Sequence, residues 1–174
     1  LEKERVLDVE YKKKQRLIVE TIVRLLPTQG RRSSVPMAFL SSLLKMVIAA
    51  SSSASSGSCR SDLERRIGLQ LDQAILEDVL IPINPNGINS TMYDIDSIFR
   101  IFSIFLNLDE DDDEEHHHRQ FRDETEMIYD FDSPGSPKQS SILKVSKLMD
   151  NYLAEIAMDP NLTTSKFIAL AELL

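Results

Sequence analysis

Apolar residues return at intervals of three and four in segment after segment of this chain, and no stretch alternates apolar with polar long enough to make a useful strand. That regularity restricts the fold to packed helices. From Tyr11 to Leu26, residues Leu17, Ile18, Ile22, Leu25 and Leu26 share one helical face, widened by Val19 and Val23, and Lys12, Lys13, Lys14, Arg16, Glu20 and Arg24 occupy the other. Val6 and Leu7 can extend this helix towards the N-terminus. Pro27 ends it, because the residue before a proline is pushed out of the helical region. A second helix is predicted over 36–50, capped by Ser34, with Phe39, Leu40, Leu43, Leu44, Val47 and Ile48 as its stripe. Its only charge is Lys45, which places it near the centre of a core.

The Ser-rich stretch 51–58 reads as a connector. Ser58 is the expected cap of a third helix, Cys59 to Leu69, with Leu63 and Ile67 inward. Asp72 is the expected cap of a fourth, ending at Leu80, with Ala74, Ile75 and Val79 as its apolar positions. Residues 81–87 contain two prolines and a glycine and break regular structure. Thr91 and Asp94 resemble a capping pair before Ile95–Leu106, a helix apolar almost all round through Ile98, Phe99, Ile101, Phe102, Ile104 and Phe105. Helical spacing resumes over 142–158 with Val145, Met149, Tyr152, Leu153 and Ile156. Asp159-Pro160-Asn161 stops it. A last helix, capped by Thr163 or Thr164, carries Phe167, Ile168, Leu170, Ala171 and Leu174. The expectation is an all-α fold, an irregular array of six or seven short helices.

The net charge of −8 is unevenly spread. Residues 109–132 hold 12 acidic and 2 basic residues, a net −10, which leaves +2 for the remainder. The helical part is therefore nearly neutral and gives no support to nucleic-acid binding. Residues 109–141 also contain His116, His117 and His118 and two Ser-Pro steps, and they read as a disordered acidic insertion. The expected organisation is a helical domain over 1–108, the insertion over 109–141, and the same domain continued over 142–174. The chain starts on Leu and stops while an apolar pattern is running, which suggests a fragment.

Little here points to catalysis. Cys59 is the one cysteine, which favours an intracellular setting and a structural thiol. The three histidines lie together among acids; a solvated linker explains them better than a metal site, which needs spaced ligands. Glu64, Asp72, Glu77 and Asp78 read as solvated charges of amphipathic helices. With no Gly-rich phosphate loop, metal-ligand spacing or nucleophile elbow, no catalytic, cofactor-binding or metal residue is assigned and no cofactor is expected. No run is long and apolar enough for a transmembrane segment. Ser133 and Ser136, each followed by proline, are candidate phosphorylation sites. Ser34, after Arg31-Arg32-Ser33, is another, although a helix cap before Pro36 is the better explanation and the two can coexist. The apolar residues Phe99, Phe102, Phe105, Phe167 and Leu170 are either core or partner-facing. The helix around Phe99, Phe102 and Phe105 and the open end at 167–174 are expected to need cover, so the isolated chain is expected to be marginal or to self-associate.

Six stretches resemble a known family together, in its order. Lys14–Pro27 reads KQRLIVETIVRLLP. Phe39-Leu40 is followed by Leu43-Leu44-Lys45. Residues 59–82 read CRSDLERRIGLQLDQAILEDVLIP, and Met92–Asp96 read MYDID. Val145–Leu162 includes NYLAEIAMDPNL, and residues 165–174 read SKFIALAELL. These stretches are similar to the plant non-phototropic-hypocotyl family, whose members combine a BTB domain, a helical domain like this one and a coiled coil. The resemblance implies a non-enzymatic substrate adaptor for cullin-3 ubiquitin ligases in phototropin-type blue-light signalling. It also implies a cytoplasmic location or peripheral attachment to the plasma membrane. Cullin-3 contact belongs to the family's BTB domain, so what these residues would supply is the surface for photoreceptors or other signalling proteins. A scaffold or oligomerisation module independent of the ligase is the alternative.

Overall fold

The computed structural model describes residues 2–27, 35–50, 57–83, 92–107 and 139–173, with the backbone alone for 2–9 and 12. The described residues form seven α-helices: α1 (Glu2–Leu25), α2 (Met37–Ala50), α3 (Gly57–Gly68), α4 (Leu76–Val79), α5 (Ile95–Leu106), α6 (Gln139–Glu155) and α7 (Thr164–Ala171). The all-α expectation holds. Ser34, Ser133, Ser136, Thr91, the histidines and residues 109–138 of the expected insertion lie outside the described residues, whereas 139–141, expected to belong to that insertion, open α6.

α2 is the central helix, as its lack of charge predicts. Met37, Leu40, Leu43, Leu44, Val47, Ile48 and Ala50 are buried, and α1, α3 and α4 pack against it. Phe39 departs from the expected stripe and is 43% exposed. α1 also departs from the prediction. It does extend back past Val6 and Leu7, to Glu2, but its buried residues are Val19 and Val23, whereas Leu17, Ile18 and Leu25 are 65%, 60% and 78% exposed. The apolar arc of α1 is broader than the contact α2 and α3 make with it, and only its valine side is covered. Arg66 fixes the exit of this helix, donating from Nη1 to the Pro27 carbonyl at 2.8 Å and from Nε to Asp62 at 2.8 Å. A cation on the carbonyls that end a helix is favourable electrostatically.

Two expected caps fail. α3 starts at Gly57, which puts Ser58 inside its first turn. The helix expected from Asp72 to Leu80 is split into a 3₁₀ turn, Leu71–Gln73, and the single turn α4, with Ala74 extended between them. The break lets Leu71 and Val79 both reach the core and leaves Ile75 60% exposed. Asp78 stabilises the restart by accepting the Ile75 N–H at 3.1 Å. Asp72 instead accepts the Ser141 hydroxyl at 2.9 Å, tying the start of α6 to this turn. Ser41 and Lys45 of α2 donate to the carbonyls of Asp78 and Glu77 at 2.7 and 2.6 Å, satisfying acceptors a one-turn helix leaves open.

Asp94, expected as the second member of a capping pair with Thr91, is itself the N-cap of α5, its Oδ1 accepting the Ser97 N–H at 3.0 Å. Before it, an antiparallel bridge pairs Pro82 with Tyr93, closed by Ile83 N–H to Met92 O and Asp94 N–H to Ile81 O, both 2.8 Å. α6 buries Val145, Leu148, Met149 and Tyr152, with Ile156 just beyond its end, while Met158 is 93% exposed. One hydrophobic cluster contains Val19, Leu40, Leu63, Ile98 and Phe102 together with Val145, Tyr152 and Leu170, so helices on both sides of residues 108–138 share a core.

α3 and α5 cross closely at Gly68. A β-carbon there would lie 2.6 Å from Ile104 Cγ2 and 3.0 Å from the Ile101 carbonyl. Gly68→Ala is therefore expected to destabilise the fold by about 1–3 kcal/mol, because overpacking outweighs the helix propensity gained. A urea midpoint equal to or above wild type would contradict this.

Candidate functional site

Among the described residues, charged side chains converge at the junction of α3 and α5. Arg60 and Glu64, one turn apart on α3, face Asp94, Ser97 and Arg100 at the start of α5. Glu64 is buried, at 2% exposure. Its Oε1 accepts from Arg60 Nε at 2.9 Å, Arg100 Nη2 at 2.8 Å and Ser97 Oγ at 2.6 Å, and its Oε2 accepts from Arg100 Nε at 2.8 Å. Arg60 Nη2 also reaches Asp94 Oδ2 at 2.7 Å. Burial alone pushes the Glu64 carboxyl up, but the bonds from Arg100, Ser97 and Arg60 together outweigh it and hold the group below the usual carboxylate range. Glu64 holds the Arg100 guanidinium above its ordinary value. Glu64 is thus an ionised structural anchor, not the solvated charge its sequence context suggests. Asp78 is also buried.

Beside this network lies an open cleft of about 520 Å³ between α3 and α5. Leu69, Phe99 and Ile104 supply its apolar wall, and Ser61, Arg65, Arg100, Ser103 and Asn107 its polar rim. A second, smaller recess between α5 and α7, about 200 Å³, shares Phe99 and adds Ala169, Leu170 and Lys166. Lys166 lies 3.1 Å from Asp96, and Thr163 caps α7.

The five apolar candidates separate here. Phe102, Phe105 and Leu170 are core residues. Phe99 is half-buried on the wall shared by both recesses, and Phe167 is 46% exposed on α7 beside Ile168 at 48%. Phe102 and Phe105 therefore find their cover within this chain.

The Asp159-Pro160-Asn161 corner has a role that sequence reading treats only as a helix stop. Asp159 Oδ2 accepts the Tyr93 N–H at 2.7 Å and its Oδ1 the Asn161 N–H at 2.7 Å, while Asn161 Nδ2 donates to the Tyr93 carbonyl at 3.0 Å. The corner joins α6 and α7 to the segment that launches α5.

Cys59 sits in a small cleft between α1 and α3 with Glu20, Arg24 and Asp62. Burial pushes its thiol up, and Glu20 and Asp62 add to this against Arg24. A raised thiol is a poor nucleophile. Among the described residues no cluster of His, Cys, Asp and Glu could hold a metal ion, and no helix is long and apolar enough to cross a membrane.

The geometry defines a class: an all-helical module with a rigid, ionically locked helix crossing and shallow surface recesses, suited to holding another chain. The protein belongs to the NPH3 family, whose model matches residues 2–174. It is 94% identical over its whole length to BTB/POZ domain-containing protein At1g03010 of Arabidopsis thaliana, covering 28% of that protein. Identity is 59% over 96% of the chain to BTB/POZ domain-containing protein SETH6 and 44% over 92% to BTB/POZ domain-containing protein At5g48800, both of Arabidopsis thaliana, covering 26% and 24% of their lengths. The chain thus spans about a quarter of the length of these relatives. No solved structure matches it.

Proposed function

We propose that this chain is the non-catalytic, partner-binding helical domain of a BTB-type substrate adaptor for a cullin-3 ubiquitin ligase, serving phototropin-type blue-light signalling in plants. The observation that carries this reading is family membership along the whole chain, together with relatives named for a BTB/POZ domain. The local chemistry agrees. The most buried carboxylate among the described residues is spent on two guanidiniums and burial pushes the thiol up, so these groups serve packing rather than turnover. In this reading 109–138 interrupts one helical domain formed by 1–108 and 139–174. Phe99 and Phe167 face photoreceptors or other signalling proteins. Phosphorylation at Ser34, Ser133 and Ser136 regulates the domain, and the whole protein works inside the cell, in the cytoplasm or on the inner face of the plasma membrane.

The test is capture of cullin-3 from plant extract by the whole protein, with and without its BTB part. Capture that requires the BTB part, with a signalling partner retained through the helical domain, is the expected result. Failure of the whole protein to bring down any ubiquitin-ligase subunit sinks the reading.

One observation favours a scaffold as second reading. Tyr11, Ile18 and Leu25 recur every seven residues along α1 and are all exposed, the spacing of a helix–helix seam. If that seam pairs two copies, sedimentation of the chain shows a concentration-dependent dimer, and Ile18→Glu returns it to monomer. A monomer at all concentrations removes the scaffold reading.

A further inference from the structure

We propose that the α3–α5 cleft seats a short acidic segment of a partner protein, with apolar side chains on Leu69, Phe99 and Ile104 and carboxylates paired with Arg65 and Arg100. This rests on the partner-binding reading above and assigns it a site and a ligand chemistry.

Charge carries the argument first. Glu64 is the one acid lining the cleft among the described residues, and its charge is neutralised by Arg60 and Arg100. Arg65 is exposed and makes no ion pair among the described residues. The Arg100 side chain is 45% exposed even while it holds Glu64. With Arg60 on Asp94 and Arg100 on Glu64, the unbalanced charge of the cleft is Arg65, whose open guanidinium fork is well shaped to grip a carboxylate, and Arg100 adds the edge that its two bonds to Glu64 leave free.

Shape and rigidity point the same way. The volume of about 520 Å³ falls within the roughly 300–1,000 Å³ of ordinary ligand pockets. The walls are fixed by the ionic network and by the close crossing at Gly68, so little ordering is needed on binding. Nucleic acid is disfavoured, because two guanidiniums on an acidic chain make no phosphate-tracking stripe. A bilayer is disfavoured because the apolar wall is recessed rather than raised.

The experiment is fluorescence anisotropy of the full chain with a fluorescein-labelled hexapeptide of alternating glutamate and leucine, and with its glutamine-for-glutamate counterpart. Saturable binding is expected for the glutamate peptide and at least tenfold weaker binding for the glutamine peptide. Arg65→Glu should weaken the glutamate peptide at least tenfold, and Ser61→Trp, which fills the cleft from an exposed position, should remove both, each with an unchanged circular-dichroism spectrum and melting temperature. Equal binding of the two peptides overturns the proposal, as does an Arg65→Glu chain that binds like wild type, or no saturation by either peptide up to 1 mM. Binding seen only after residues 109–115 are replaced by glycine and serine assigns the cleft to the chain's own acidic tract and overturns it too. So does Arg65-dependent binding to phosphatidylserine vesicles with neither peptide bound. If the peptides fail while the whole protein still captures its ligase and partner, the cleft assignment falls and the adaptor reading stands. If capture fails while the Arg65-dependent peptide result holds, the adaptor reading falls alone.

Discussion

Glu64→Ala is expected to lower the unfolding free energy by about 2–3 kcal/mol, less than the roughly 3–5 kcal/mol for a fully buried pair, because the Arg60 and Arg100 side chains left behind are 29% and 45% exposed. The substitution removes the acceptor for Arg60 Nε, for two Arg100 nitrogens and for the Ser97 hydroxyl, leaving Arg60 with Asp94 alone and Arg100 without its carboxylate partner. Glu64→Gln keeps the shape but loses the charge and should fall between alanine and wild type. The pH dependence has a definite sign. The folded carboxyl titrates below its unfolded value, so its contribution is fully present above the unfolded carboxylate range and is lost as pH falls through the lower, folded value. Urea midpoints measured from pH 7 down to pH 3 should therefore fall less steeply in Glu64→Gln than in wild type. Parallel curves for the two, or an alanine variant within 1 kcal/mol of wild type, would show that the network does not hold the crossing together.

How far the sequence discloses this architecture depends on the range of the interaction. Features decided within one turn are legible. Pro27 stops α1, Asp94 caps α5, and the poverty of charge in α2 places it at the centre. The inward side of α1 is not legible, because its apolar arc is wide and only the neighbours decide which part is covered; they choose Val19 and Val23 over Leu17, Ile18 and Leu25. The split of the expected 72–80 helix is hidden for a similar reason. Asp72 has the composition of a cap, but the chain must turn there to bring both Leu71 and Val79 inward, and Ser141, far along the sequence, takes the Asp72 carboxylate. The site shows the same limit. Arg60 and Glu64 stand at the four-residue spacing of a surface pair. Their burial comes from Asp94 and Arg100, more than thirty residues away, whose approach no local pattern announces. The family resemblance finds the stretches containing these residues, but not the contacts between them.

Those contacts make the corner after α6 the second sensitive point. Asp159→Ala is expected to cost about 2–4 kcal/mol, since buried or half-buried backbone donors left without partners cost about 1–3 kcal/mol each. Two are stranded, the N–H groups of Tyr93 and Asn161. The damage should be directional. α7 is otherwise held by Leu170 in the core, by the single Asn161 Nδ2 bond to the Tyr93 carbonyl and by Lys166 on Asp96 at the surface. An exposed ion pair adds about 0–1 kcal/mol, so releasing the corner leaves one buried side chain as the main attachment of a helix of eight residues. Hydrogen exchange should show protection falling in 164–171 before it falls in α2 or α3, because local opening follows the weakest attachment. Asp159→Asn, which keeps one acceptor oxygen, should recover part of the loss. Uniform loss of protection across all helices would mean that Asp159 supports the whole core rather than this corner. Because α7 carries Phe167, the directional outcome would also weaken any partner bound through that residue while leaving the α3–α5 cleft intact.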